Sequence, residues 1–109
     1  MSTGARSDKN APYFQALVPA TTHVRSFTAT SAQTAAVSAA TTLVSVFATQ
    51  DCWILTGADP TAVVVTDGAT GTSMFLPGGI KDFIGIEPGH KIAVVRSGTS
   101  GILYVTECA

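Results

Sequence analysis

Charged side chains are scarce in this sequence. Asp, Glu, Lys and Arg make up 12% of its 109 residues, against about 25% in an average soluble protein. The formal net charge is −1, so the composition provides no basic surface for nucleic acid or for an acidic membrane. A small, weakly charged domain is commonly stabilised by oligomerisation. We therefore expect part of its surface to be buried against partner proteins.

Long hydrophobic runs are also missing. The longest apolar runs are far shorter than the roughly 20 residues that a membrane-spanning helix needs. Residues 1–15 lack an uninterrupted hydrophobic segment, so we expect no signal peptide. The composition predicts a protein that is soluble or assembled rather than integral to a membrane.

Cysteine is limited to Cys52 and Cys108. Each lies in an apolar, strand-like run, where a free cysteine behaves as a small hydrophobic residue. Because disulfides belong to oxidising compartments, we expect two reduced, partly buried thiols. The spacing leaves open whether the two cysteines meet.

The residue patterns that carry chemistry are missing as well. His23 and His90 are far apart in the chain, and neither has cysteines or carboxylates nearby at metal-ligand spacing. Nothing pairs a cysteine with a histidine as a nucleophile requires. The acids are too scattered for a calcium loop. We therefore predict no enzymatic activity, no cofactor and no metal site.

What the sequence does contain is a regular alternation of short apolar runs and turns rich in Gly, Pro or Asp. Such spacing favours an antiparallel β-sandwich or barrel, a jelly roll included, and no helix-length amphipathic segment separates the runs. In the first run, Phe27 and Arg25 share one face while Val24 lies on the other. The predicted strands are 23–30, one with a flanking loop within 31–41, 42–49, 51–57, 62–66, 73–76, 81–87, 91–96 and 102–107.

Trp53 is the single tryptophan and lies in the run 51–57, around which this pattern is organised. Two interpretations stay open for it. It is either a core aromatic or an anchor at a protein interface, where tryptophan and tyrosine are enriched. Tyr104 and Met74 admit the same two interpretations.

The amino terminus differs from the rest. We assign residues 1–22 to an extended N-terminal arm and residues 23–109 to the β-sandwich domain. Two prolines limit the segment 11–19, which is too short for a stable helix. It either folds back on its own domain or lies on a neighbouring subunit, and we favour the neighbour. The predicted interface residues are Tyr13, Phe14, Leu17, Val18 and Trp53.

Four stretches carry a family resemblance: 51–62 (DCWILTGADPTA), 73–79 (SMFLPGG), 83–94 (FIGIEPGHKIAV) and 101–107 (GILYVTE). Together they resemble small β-sandwich structural proteins of tailed bacteriophages. The resemblance spans roughly residues 30–108 and leaves the arm unassigned. Its motifs are strand and turn signatures rather than catalytic ones.

The resemblance implies a non-enzymatic virion component. We expect a capsid decoration, or cement, protein that binds the major capsid protein on the virion surface as a dimer or trimer. It would be made in the host cytoplasm. A head–tail connector, tail or fibre component is the alternative. A carbohydrate- or receptor-binding β module ranks last, because we expect few exposed aromatic residues.

Overall fold

Two antiparallel sheets of four strands each make up the described part of the chain, residues 18–108 of the computed structural model. The all-β fold class is as predicted. In chain order the strands are β1 (Pro19–Phe27), β2 (Ala32–Gln33), β3 (Leu43–Ala48), β4 (Cys52–Gly57), β5 (Met74–Leu76), β6 (Asp82–Gly85), β7 (Lys91–Arg96) and β8 (Gly101–Cys108).

The strand order identifies the sandwich as a jelly roll. The first sheet has the order β1-β8-β3-β6 and the second has the order β2-β7-β4-β5. Strand pairs are therefore nested along the chain, with β1 on β8, β2 on β7, β3 on β6 and β4 on β5. Eight strands in two sheets with this nesting form the double Greek key of jelly rolls.

The main core lies between the two sheets, and it follows from the period-two alternation of each strand. In β8, Leu103 and Val105 are buried while Tyr104 between them is exposed. Phe27 of β1 closes one end of this core and is almost fully buried, whereas Val24 on the other face of the same strand is exposed. The buried apolar residues between the sheets are Phe27, Val37, Val44, Val46, Ala48, Cys52, Ile54, Leu76, Ile86, Ile92, Val94, Leu103 and Val105.

The second sheet is also covered on its outer side. Ala93 and Val95 of β7 point away from the main core but are buried against Ala62, with Trp53 and Leu55 packed beside them. Ala62 belongs to the long connection 58–73 between β4 and β5. This connection forms a second, smaller core, and β7 is buried on both of its faces as a result.

That connection corrects one predicted strand. Residues 62–66 are not a strand, although their three consecutive valines favour one. The backbone N–H groups of Ala62 and Val63 donate to the hydroxyls of Ser31 and Ser73 instead of to a neighbouring strand. Side-chain acceptors thus hold the segment as an irregular cover.

Two other boundaries shift. The first strand begins at Pro19 rather than at His23 and ends at Phe27. Within 31–41 only Ala32–Gln33 is strand, and the remainder is a loop. That loop forms three backbone hydrogen bonds with residues before and within β7. The N–H groups of Thr34 and Val37 donate to the carbonyl oxygens of Ile92 and His90, and the Gly89 N–H donates to the Ser38 carbonyl oxygen.

Asp51, which immediately precedes β4, holds the turn 77–79. Asp51 Oδ1 accepts a hydrogen bond of 2.7 Å from the Gly78 backbone N–H. Gly78 is packed so closely that an added Cβ would lie 2.7 Å from the Gln50 Cα. Gly79 has a φ of 80°, a conformation that favours glycine. The turn therefore requires glycine at both positions for different reasons.

We predict that Gly78→Ala lowers the free energy of unfolding by about 1–3 kcal/mol, because the methyl group meets backbone that cannot move aside easily. Urea unfolding followed by circular dichroism measures the change. Gly98→Ala is the matched control, since nothing lies within 4 Å of its added Cβ. Equal stability of the two variants would contradict this account of the turn.

Candidate functional site: the outer face of the first sheet

The side of the first sheet that points away from the core carries apolar and aromatic side chains. We call this surface the outer face. Its members form two rows across the sheet, fixed by the strand register. The rows are Val24–Tyr104–Phe47 and Thr22–Thr106–Ser45–Phe83.

The large side chains of the outer face remain accessible. Val24 is 58% exposed, Phe83 47% and Tyr104 37%. The rings of Phe47 and Tyr104 lie 6.4 Å apart between centroids, which is within the range of an attractive aromatic pair. Solvated sheet faces normally carry polar residues. Contiguous exposed apolar patches are typical of interaction sites, which makes the outer face the candidate site.

A shallow groove of about 560 Å³ lies on the outer face, and its lining includes Pro19 and Cys108. Among its described lining residues, Lys81 is the one that carries a charge. The Lys81 Nζ lies 5.7 Å from the centroid of the Phe83 ring, in reach of a cation–π contact. The Thr22 and Thr106 hydroxyls are hydrogen-bonded to each other at 3.0 Å. The described lining of the groove is therefore mostly aromatic and hydroxyl-bearing, with a single charged side chain.

These aromatics correct one expectation. We expected few exposed aromatic residues, but Phe75, Phe83 and Tyr104 are all exposed. Their exposure follows from strand parity, because each occupies a position that points away from the main core. Phe83 and Tyr104 share the outer face with Phe47, whereas Phe75 lies on the second sheet beside Trp53.

Trp53 is on the other side of the molecule. It packs edge-to-face on Phe75 with centroids 5.2 Å apart, beside the second core. Its indole Nε1 is buried, and within residues 18–108 it has no hydrogen-bond acceptor. Of the predicted interface residues that the structure describes, Trp53 thus belongs to the second sheet, whereas Val18 immediately precedes β1 of the first sheet.

Val18 is the one predicted arm contact that the structure places. It is 61% exposed and immediately precedes β1. Tyr13, Phe14 and Leu17 lie outside the described residues. Val18 itself does not bury its side chain on its own domain.

A buried carboxylate is the feature that sequence inspection missed. Glu107 of β8 points inward and is 4% exposed. Its Oε2 lies 2.7 Å from His23 Nε2, across 84 residues of sequence. Its Oε1 accepts hydrogen bonds from the Thr41 hydroxyl and the Ser38 backbone N–H. The alternation of side chains along β8 indicates this burial, because Glu107 lies on the same face of the strand as Leu103 and Val105.

The Glu107 cluster is structural in character. The hydrogen bond from Thr41, aided by those from His23 and Ser38, holds the pKa of Glu107 below its ordinary value of 4.5, although burial acts in the opposite direction. The carboxylate ties β1 and the loop 34–42 to the end of β8. Because it is buried and all its described partners are internal, it anchors the loop rather than offering a reactive group.

Stability should depend on pH through Glu107. A carboxylate with a lowered folded pKa contributes stability that is present above its unfolded value and is lost as pH falls through the folded value. We predict that Glu107→Gln destabilises the protein by about 1–3 kcal/mol at neutral pH. We also predict that the difference from the wild type shrinks below about pH 4.5. Urea unfolding across this range measures both effects.

Glu87→Gln is the control for that series, because it removes an exposed carboxylate. It should follow the wild type throughout. A Glu107→Gln curve that stays parallel to the wild-type curve down to acidic pH would contradict the role assigned to the buried carboxylate.

The two cysteines do not meet. Both are free. Cys52 directly follows the turn 49–51, which lies beside the start of β8 at Gly101. Cys108 is at the other end of β8, seven residues and about 23 Å along the strand from Gly101. Burial, together with the negative charge of Asp51, raises the pKa of Cys52 to about 12. The Cys52 thiol is therefore protonated and shielded.

We predict that Cys52 resists alkylation in the folded protein near pH 8, because the thiolate is the reactive form. Iodoacetamide labelling of Cys108→Ser, which leaves a single thiol, isolates its rate. Labelling should become fast once denaturant unfolds the chain. Equally fast labelling of the folded and unfolded variant would show that Cys52 is not buried as described.

A second groove runs along the open edge between β1 and β2, and it includes Arg25 and Lys91. Much of its polar surface is already used within the chain. The Gln33 side-chain amide donates to Asp59 Oδ1 and to the Pro60 carbonyl oxygen, both at 2.8 Å. The outer face, with its uncovered aromatic rings, is therefore the stronger candidate.

Among residues 18–108, no group of three or more His, Cys, Asp or Glu side chains is placed to hold a metal ion. The same residues contain no helix long and apolar enough to cross a membrane.

Comparison of the chain with protein-family models, with curated proteins and with solved structures finds no match.

Proposed function

We propose that this chain is a non-enzymatic structural subunit that assembles through the outer face of its first sheet. The observation that carries the proposal is the exposure of Val24, Phe83 and Tyr104 on a nearly uncharged sheet face. Aromatic residues concentrate at protein interfaces, and charged residues are depleted from the centre of such interfaces. The low overall charge of the chain supports the same interpretation.

The assembly we propose is a bacteriophage virion, with the protein as a capsid decoration subunit on the major capsid protein. The support is the resemblance of stretches 51–62, 73–79, 83–94 and 101–107 to small phage structural proteins. Jelly rolls also occur among viral capsid domains, although a fold alone does not define a function. A connector, tail or fibre position is the alternative within the same proposal.

The copy number in purified particles tests this proposal. We expect quantitative mass spectrometry to find this chain and the major shell protein in an equimolar ratio or in a simple lattice fraction. A few copies per particle would move the protein to the connector or tail. Absence from the particles would overturn the virion proposal.

The contact surface can be tested on the same particles. We predict that Phe83→Ser combined with Tyr104→Ser lowers attachment at least tenfold, because it removes exposed rings from the outer face. Val63→Ser is the matched control, since Val63 is 60% exposed on the connection that covers the opposite sheet. Attachment of the double variant at the wild-type level would exclude the outer face as a contact.

A carbohydrate-binding module is the second candidate, because the rings of Phe47, Tyr104 and Phe83 form a platform on which the apolar face of a sugar can pack. Binding of the wild-type chain to a panel of immobilised polysaccharides, lost in Tyr104→Ser, would support it. Retention of the variant on the same polysaccharide would exclude the platform.

A further inference from the structure

We propose that the outer face is occupied by the segment 11–18 of a second copy of this chain. The inference rests on the part of the proposed function that treats the outer face as a contact surface, and it is independent of the virion. Its starting point is the difference between the two sheets. The connection 58–73 covers the two middle strands of the second sheet and leaves Phe75 at its edge exposed, whereas no described segment covers Val24, Tyr104 and Phe83 on the first sheet.

The segment 11–18 is apolar and uncharged, which suits the aromatic lining of the groove. Residues 11–18 read APYFQALV and contain no charge. They contain the apolar residues Tyr13, Phe14, Leu17 and Val18. An extended segment presents alternate side chains, Tyr13 with Leu17 or Phe14 with Val18, to a groove lined by Phe47, Phe83 and Tyr104. Burial of such side chains against exposed rings is favourable in proportion to the apolar area removed from water.

The dimensions also agree. Residues 13–18 span about 17 Å when extended, at about 3.3 Å per residue. Four strands about 4.8 Å apart give a face about 14 Å wide between the outermost strand axes. One extended segment therefore crosses the sheet from edge to edge.

The segment reaches the groove from its rim. Pro19, the next residue, lines the groove and pairs with Cys108 at the end of β8. Proline favours an extended conformation for the residue before it, so Val18 is directed beyond this end of the sheet. Val18 is correspondingly 61% exposed instead of packed on its own domain.

Return to the same face would require a reversal within a few residues. Residues 13–18 contain no Gly, Asn, Asp, Ser or Pro, the residues on which tight turns depend. The segment therefore passes to a second copy, and exchange of an identical element closes an oligomer of two or three copies.

Mixed disulfide trapping tests this arrangement on the full chain. One chain carries Phe14→Cys and Cys108→Ser, and the other keeps the native arm and Cys108. A segment that lies on the second copy brings the introduced thiol to Cys108 of the other chain. Separate experiments place the cysteine at Tyr13 or Leu17 instead, because the register of the segment on the face determines which position approaches Cys108. Isotopic labelling of one chain identifies the mixed product by mass.

We expect a mixed interchain disulfide for at least one of the three arm positions. We expect it in at least tenfold excess over a control chain with Ser97→Cys, whose thiol lies in the loop at the opposite end of β8. Absence of the mixed product at all three positions would overturn the proposal. An intrachain disulfide in Phe14→Cys with Cys108 retained, without the mixed product, would show that the segment folds back on its own domain.

Sedimentation of the purified chain gives an independent readout. We expect the wild type to be an oligomer and Phe83→Ser/Tyr104→Ser to be a monomer that keeps the wild-type circular dichroism spectrum. A chain with Tyr13→Ser, Phe14→Ser and Leu17→Ser should also be monomeric.

The arm variant (Tyr13→Ser, Phe14→Ser and Leu17→Ser) keeps a native outer face, and the face variant (Phe83→Ser/Tyr104→Ser) keeps a native segment. Association should therefore return in part when the two variants are mixed. A monomeric wild type, or no association in the mixture, would overturn the exchange. Neither result depends on whether the protein occurs in virions.

Discussion

The pleat of β8 assigns its alternate side chains to opposite environments, and the other features of the molecule depend on that assignment. Leu103 and Val105 point into the main core, while Tyr104 and Thr106 point to the outer face. Glu107 continues the inward series, where it binds the loop 34–42. One strand thus stabilises the core, fixes a loop and presents the candidate contact surface. A shift of one residue in its register would exchange all of these positions.

Much of the fold could be predicted from sequence because its signals are local. Eight of the nine predicted strands are present, and turns such as Glu87–His90 formed as the proline and glycine require. The error at 62–66 has a different origin. Three valines favour a strand, but Ala62 and Val63 found hydroxyl acceptors on Ser31 and Ser73, and these partners are distant in sequence.

The candidate site was less accessible to sequence inspection. Strand parity indicates which side chains point outward, but it does not show which outward face another segment covers. Val95 and Tyr104 both point away from the main core, yet only the first is covered, by Ala62. The pair of His23 and Glu107 was missed because its members are 84 residues apart. Only the nested pairing of β1 with β8 brings them together.

The same nesting has a consequence for how the chain acquires its structure. The pairing of β1 with β8 joins Phe27 to Gly101 and Pro19 to Cys108. All the other strands of the domain lie in the chain segment that this pairing closes into a loop. Contacts of such long sequence separation slow folding, because the entropy of loop closure is lost before the contacts form. During synthesis, β3 can pair with β6 on one side but lacks its other neighbour, β8, until residues 101–108 have left the ribosome. A nascent chain stalled before that point exposes the edges of β1 and β3, where it is open to pairing with other chains.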